Sequence, residues 1–154
     1  MVVVLVNIRS AWNVGSIFRS SDAAGIDKIF LCGITPEPID RFGNPRKDIA
    51  KVALGAEKTV SWEKSSRVVK TIDKLKKDGY TIIAIEQNKN SCPYDKIKPK
   101  NKTAIVLGNE VKGLPLAVLK RADKIGEIPM RGKKESLNVS VAFGIIVFEM
   151  IKKT

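Results

Sequence analysis

Four side chains in this sequence have the chemistry of a reaction centre: Asn13, Arg19, Glu110 and Asn138. Arg19 is a permanent cation, suited to a phosphate or a developing oxyanion. Asn13 and Asn138 each offer a donor and an acceptor, and Glu110 a carboxylate. Ser136, Asn138 and Ser140 crowd the start of an apolar segment. A helix start leaves about four backbone N–H groups unpaired, and such side chains cap them or leave them for a ligand. Plain structural roles compete with each: an Arg19–Asp22 surface pair, and a capped connection before the last helix. The chain has no His. That removes Ser-His and Cys-His nucleophilic catalysis and His-ligated metals. Cys32 and Cys92 lack metal spacing and demand no disulfide, so no metal and a reducing, cytoplasmic setting are expected.

Glycines frame the same residues. Gly108-Asn109-Glu110-Val111-Lys112-Gly113 is no Walker A loop, because the Lys-Ser/Thr pair is missing, and no G-x-G-x-x-G follows the first apolar run. Gly108 is expected to let backbone approach a ligand closely. Gly15, four residues before Arg19, shares its helix face and would clear space beside the guanidinium, at about 1 kcal/mol of helix stability relative to Ala.

The elements that must position these groups alternate. Residues 2–6 form a continuous β-branched run, as in a strand buried on both faces. With Asn13 as N-cap, a helix is predicted over 14–24, ended by Gly25. A strand over 28–32 completes a βαβ unit. Residues 34–43, holding Pro36 and Pro38, read as loop, and 45–54 as a short helix. A strand over 59–62 follows, then a helix capped by Ser65 or Ser66 and stopped by Gly79. Strands over 81–85 and 103–107 flank a polar loop, 87–102. A short helix over 116–122, a strand over 125–130 and a helix over 138–152 finish the chain. This pattern predicts one α/β domain over 1–154 with a mostly parallel sheet and helices on both faces. Ligands in such sheets bind beyond the C-terminal strand ends, where residues 7–13, 108–113 and 129–137 lie.

Between Val139 and Ile151 almost every helix face is apolar. A surface helix carries one stripe, so this one needs cover on two sides. The simplest cover is a second copy, hence a symmetric dimer; burial within one chain is the alternative. At 154 residues and 44% hydrophobic content the chain can build a core, and its net charge is +12. Nucleic acid is the leading anionic partner and a membrane surface the second; charge alone also fits a merely solvated Lys-rich surface. No apolar run reaches the roughly 18 residues of a membrane span, and residues 1–6 lack a signal peptide's basic start.

Three motifs occur in order: Asn13-Val14-Gly15-Ser16-Ile17-Phe18-Arg19; Ile105-Val106-Leu107-Gly108-Asn109-Glu110-Val111-Lys112-Gly113-Leu114; and Ile128-Pro129-Met130 through Ser136-Leu137-Asn138-Val139-Ser140-Val141-Ala142. Together they resemble the motifs of the SpoU/TrmH branch of the SPOUT RNA methyltransferases, across nearly the whole chain. The resemblance implies an α/β fold with a deep C-terminal trefoil knot and a homodimer packed through terminal helices. It implies S-adenosylmethionine held by Leu107, Gly108, Asn109, Ile128, Met130, Ser136 and Leu137, with Ala84, Ile85 and Glu86 flanking it. It implies a catalytic set of Asn13, Arg19, Glu110 and Asn138, and methyl transfer to a ribose 2′-hydroxyl of tRNA or rRNA. In such enzymes Arg19 would be the general base. A guanidinium has a pKa above about 12, so the alternative is a charged clamp on phosphate and alkoxide. Asn13 would orient Arg19, Glu110 would steady the motif loops, and Asn138 would link the third motif to the site. Without an appended RNA-binding domain, RNA would lie on basic stretches 41–51, 96–102 and 131–134. Residues 7–10 and Leu137 depart from the subgroup that modifies the tRNA wobble position; tRNA remains favoured over rRNA. A catalytically silent RNA-binding module and a base-methylating knotted enzyme are the competing readings.

Overall fold

The computed structural model describes residues 1–154. The interior strand β1 (Val2–Val6) has all five residues buried, as its β-branched run requires. Beside it lie β2 (Lys28–Cys32) and β6 (Thr103–Leu107), with Val4 opposite both Phe30 and Val106. Further strands are β3 (Ser61–Ser65), β4 (Thr81–Ile85), β5 (Cys92–Pro93) and β7 (Lys124–Glu127). The sheet runs β3-β2-β1-β6-β4-β7-β5, and every pair is parallel.

Parallel strands put two cores on the two faces. Val3 and Leu5 face a 21-residue cluster with Val14, Ile17 and Phe18 of α1 (Ala11–Ala23) and Phe143, Ile146, Val147 and Met150 of α6 (Val139–Ile151). The short helices α2 (Lys47–Ala53) and α3 (Ala56–Thr59) join this side through Ile49, Ala53 and Ala56. Val2, Val4 and Val6 face a 13-residue cluster with Ile72 and Leu75 of α4 (Val68–Lys77) and Val118 of α5 (Leu116–Leu119).

Several boundaries differ from the sequence prediction. Ser10, not Asn13, caps α1: its hydroxyl accepts the Asn13 N–H at 3.3 Å, and the Asn13 side chain bonds elsewhere. Neither Ser65 nor Ser66 caps α4. Arg67 holds that position without a side-chain bond, while the Ser65 hydroxyl accepts the Arg67 N–H at 3.3 Å from the end of β3. The third strand starts two residues late, because 56–59 close a helical turn first. As an edge strand it needs no apolar alternation, so its sequence announces little. The same holds for β5, two residues paired with Gly126 and Glu127 inside the expected loop. The last strand stops at Glu127, where its neighbour β4 has run out at Ile85 opposite Gly126. Ile128, Pro129 and Met130 are thereby released into the loop before α6.

Candidate functional site

The strand ends of β4, β6 and β7 open into a cleft of about 450 Å³. Nine of the ten residues expected to hold a cofactor line it: Ile85, Glu86, Leu107, Gly108, Asn109, Ile128, Met130, Ser136 and Leu137. Ala84 does not. It is fully buried in the core under α4, because alternate strand residues face opposite sides. Glu110 and Asn138 also line the cleft. So do Val139 and Ala142 of the third motif, to which no role was assigned, and Gln87 and Glu127, which lie outside the motifs.

A hydrogen-bonded chain joins the three motifs. The Asn13 amide donates to Glu110 Oε1 at 3.0 Å, and its Oδ1 accepts from Asn138 Nδ2 at 3.1 Å. Glu110 also accepts the backbone N–H of Arg9 at 3.0 Å and of Ser10 at 3.1 Å. It thus fastens the start of α1 to the loop after β6. Asn138 uses its Oδ1 to cap α6, accepting the Ser140 N–H at 2.9 Å. Burial pushes the Glu110 carboxyl pKa up, but the bonds from Arg9, Asn13 and Ser10 outweigh it and hold it below the ordinary 4.5.

A second carboxylate shapes the cleft wall. Glu86 Oε2 accepts the Leu114 N–H at 2.8 Å. Asn109 folds the intervening turn, its Oδ1 accepting the N–H groups of Val111 at 3.0 Å and Lys112 at 2.9 Å. Its Nδ2 reaches the Asn7 carbonyl at 2.7 Å, a tie to the loop between β1 and α1. A side chain at Gly108 would place its Cβ 2.6 Å from the Gly113 carbonyl carbon. The absence of a side chain therefore lets the loop's own backbone close up, at a residue that also lines the cleft. Gln87 Nε2 donates to the Glu135 carbonyl at 2.7 Å and pins the loop before α6.

Arg19 stands apart. It is exposed on α1, is absent from the cleft lining, and enters no ion pair or side-chain hydrogen bond. Its expected partner Asp22 instead accepts the Thr59 hydroxyl at 2.5 Å. Within the chain no hydrogen bond joins Asn13 to it; the Asn13 amide bonds Glu110 and Asn138 instead. Nor does Gly15 make room for it. Gly15 is buried against α2, where an added Cβ would meet the Ile49 carbonyl oxygen at 2.7 Å.

One face of the last helix is not covered by its own chain. Val141, Ile145 and Phe148, spaced to share one face, are 51%, 38% and 46% exposed. Arg131, Lys133 and Lys134 are exposed beside the cleft mouth. Seven of the 28 Lys and Arg side chains pair with carboxylates, leaving a strongly positive surface. No group of three or more His, Cys, Asp or Glu is placed to hold a metal ion. No helix is long and apolar enough to cross a membrane.

An all-parallel α/β sheet whose strand-end cleft is lined by the second and third motifs, with the first tied to both through Asn13, defines a recognisable class. The sequence pattern of the SpoU rRNA Methylase family matches residues 1–148, and the chain belongs to that family. It is 32% identical over 152 residues to a Staphylococcus aureus protein assigned to the TrmH family of tRNA/rRNA methyltransferases. That alignment covers 99% of this chain and 58% of the relative, so the chain spans little more than half of that protein's length. Among solved structures it resembles the A. aeolicus TrmH/SpoU tRNA modifying enzyme, with TM-score 0.85, 30% identity and coverage of 99% and 74%. It also resembles an AdoMet-bound rRNA methyltransferase from Sinorhizobium meliloti, with TM-score 0.87, 25% identity and coverage of 98% and 55%.

Proposed function

We propose that this chain is an S-adenosylmethionine-dependent RNA methyltransferase that modifies a ribose 2′-hydroxyl, with tRNA favoured over rRNA. The observation that carries the reading is the Glu110–Asn13–Asn138 chain, which ties the three family motifs around one cleft. The cleft suits the cofactor. Its volume falls within the roughly 300–1,000 Å³ of small-molecule sites. Its apolar walls at Ile85, Leu107, Ile128 and Leu137 match a nucleoside, and Glu127, free of any ion pair, complements a cation. When bound, S-adenosylmethionine supplies a methyl group already activated by a positively charged sulfur.

What remains for the protein is alignment and the removal of one proton. Glu110, Asn13 and Asn138 hold the loops in register. Arg19 acts either as the base or as a cation that clamps a phosphate and stabilises the emerging alkoxide. Because Arg19 is outside the cleft of its own chain, the reading gives it the cleft of a second copy. The exposed Val141, Ile145 and Phe148 face of α6 supplies the apolar surface for that homodimer. The deep trefoil knot of the family belongs to the same reading. It would be formed where residues 108–113 and 128–138 cross around the cleft.

Two measurements test the proposal. Calorimetry should detect S-adenosylmethionine binding, which a silent RNA-binding module would lack. After incubation with total RNA, nucleoside mass spectrometry should find ribose-methylated nucleosides. Methylated bases instead would refute the ribose assignment.

A further inference from the structure

The loop after β2 presents an aromatic ring to solvent on a rigid support. Ile39 and Pro45 form an antiparallel bridge. The Asp40 N–H donates to the Asn44 carbonyl at 2.8 Å, and the Arg46 N–H to the Pro38 carbonyl at 2.8 Å. The Asp40 carboxylate closes the tip, Oδ1 accepting the N–H groups of Phe42 at 2.8 Å and Asn44 at 2.9 Å. These bonds hold the Asp40 carboxyl below its ordinary pKa range, against a smaller opposing effect of burial. At the base, Arg46 forks onto Asp48 at 2.6 and 3.1 Å. Phe42 at the tip is 73% exposed and belongs to neither apolar core. The Arg41 guanidinium lies 4.7 Å from its ring centroid. A concavity of about 440 Å³ opens beside the ring, lined by Glu37, Ile39, Asp40, Arg41, Phe42 and Arg46.

A ring held this way buries nothing of its own chain and forgoes the gain of leaving water. Its open face, with a cation alongside, fits a planar π partner. Glu37 and Asp40 oppose a phosphate inside the concavity. A nucleic-acid backbone is therefore directed outward, toward the exposed Arg41 and Lys47, and a base inward. All strands being parallel, the hairpin leaves β2 at the sheet edge from which the cleft loops leave β4, β6 and β7.

We propose that Phe42 is a stacking platform for one unpaired nucleobase of the RNA substrate, outside the reaction cleft. The hairpin grips a single-stranded segment flanking the modified nucleotide. Splayed bases stacked on aromatic side chains are a general mode of recognising unpaired RNA. The inference rests on the reading of the substrate as RNA.

The test compares unaltered protein, Phe42→Ala and Phe42→Trp by fluorescence anisotropy. The probes are unfractionated tRNA and a mixed-sequence single-stranded RNA oligonucleotide. Phe42→Ala should weaken binding of both by about tenfold or more, the effect of losing one base–aromatic stack. Phe42→Trp should restore it. The slope of log affinity against log salt should be the same in all three, because no charge is removed. Equal thermal midpoints establish that the fold is intact. Unchanged affinity in Phe42→Ala overturns the proposal. So does self-association of the unaltered protein that Phe42→Ala abolishes without loss of RNA affinity, which assigns the ring to a protein contact. Phe42-dependent RNA binding by a protein that fails to bind S-adenosylmethionine upholds this inference and overturns the methyl-transfer reading.

Discussion

Both ends of one amide hold the candidate site together at the scale of the residue. Asn13 donates to Glu110 and accepts from Asn138. Asn13→Ala breaks both bonds, each worth about 1 kcal/mol in net stability. Urea unfolding should show a loss of about 1–2 kcal/mol, while methyl transfer should fall far more steeply, since the motif loops lose their register. Asn13→Asp should be worse for activity, because it turns a donor into an oxygen facing the Glu110 carboxylate. Glu110 also makes the site acid-sensitive. Its folded pKa lies below 4.5, so its contribution is full above about 4.5 and is lost as pH falls through the lower folded value. S-adenosylmethionine affinity measured down that acid range should decline in the native protein. In Glu110→Gln it should be weaker throughout and lack that acid step.

Two glycines decide how closely elements approach. Gly15 lets α1 meet the backbone of α2. An added methyl gains about 1 kcal/mol of helix propensity but collides with the Ile49 carbonyl and Val52. Overpacking of that kind costs about 1–3 kcal/mol. Gly15→Ala should therefore lower the urea midpoint despite the better helix former. Gly108→Ala meets backbone atoms of Gly113 and Leu114 that cannot retreat, because Glu86 and Asn109 fix that turn. Calorimetry should show S-adenosylmethionine binding lost in Gly108→Ala, with the folded state retained by far-ultraviolet circular dichroism. Retained binding would mean the turn is softer than its bonds imply.

For the whole molecule, the uncovered α6 face and the outlying Arg19 make one testable pair. Ile145→Asp places a charge in the apolar face. Sedimentation should show a dimer for the unaltered protein and monomers for this variant, and activity should vanish with the dimer. Arg19→Ala and Gly108→Ala should each be inactive alone. Mixed and re-associated, they should recover activity, because one hybrid cleft then has both an intact loop and an intact arginine from the other copy. No recovery would confine Arg19 to its own chain. The unpaired basic surface predicts RNA affinity that falls steeply between about 50 and 200 mM salt.

The sequence by itself determined the parallel α/β class and the three loops at the strand ends. Those features follow from local pattern: β-branched runs, glycine stops and a capped apolar helix each carry their own signal. It determined the family too, through motifs whose order survives in the chain. Only the tertiary structure decided what Asn13, Gly15 and Gly108 do. Their roles depend on partners 34 to 125 positions away for Asn13 and Gly15, or on a turn folding back on itself, and no period records such contacts. Edge strands β3 and β5 were obscure for a related reason: with one face free of the core, pairing alone defines them. Phe42 was invisible as well. An aromatic residue in a polar loop looks like a buried anchor until the fold shows its ring standing in water.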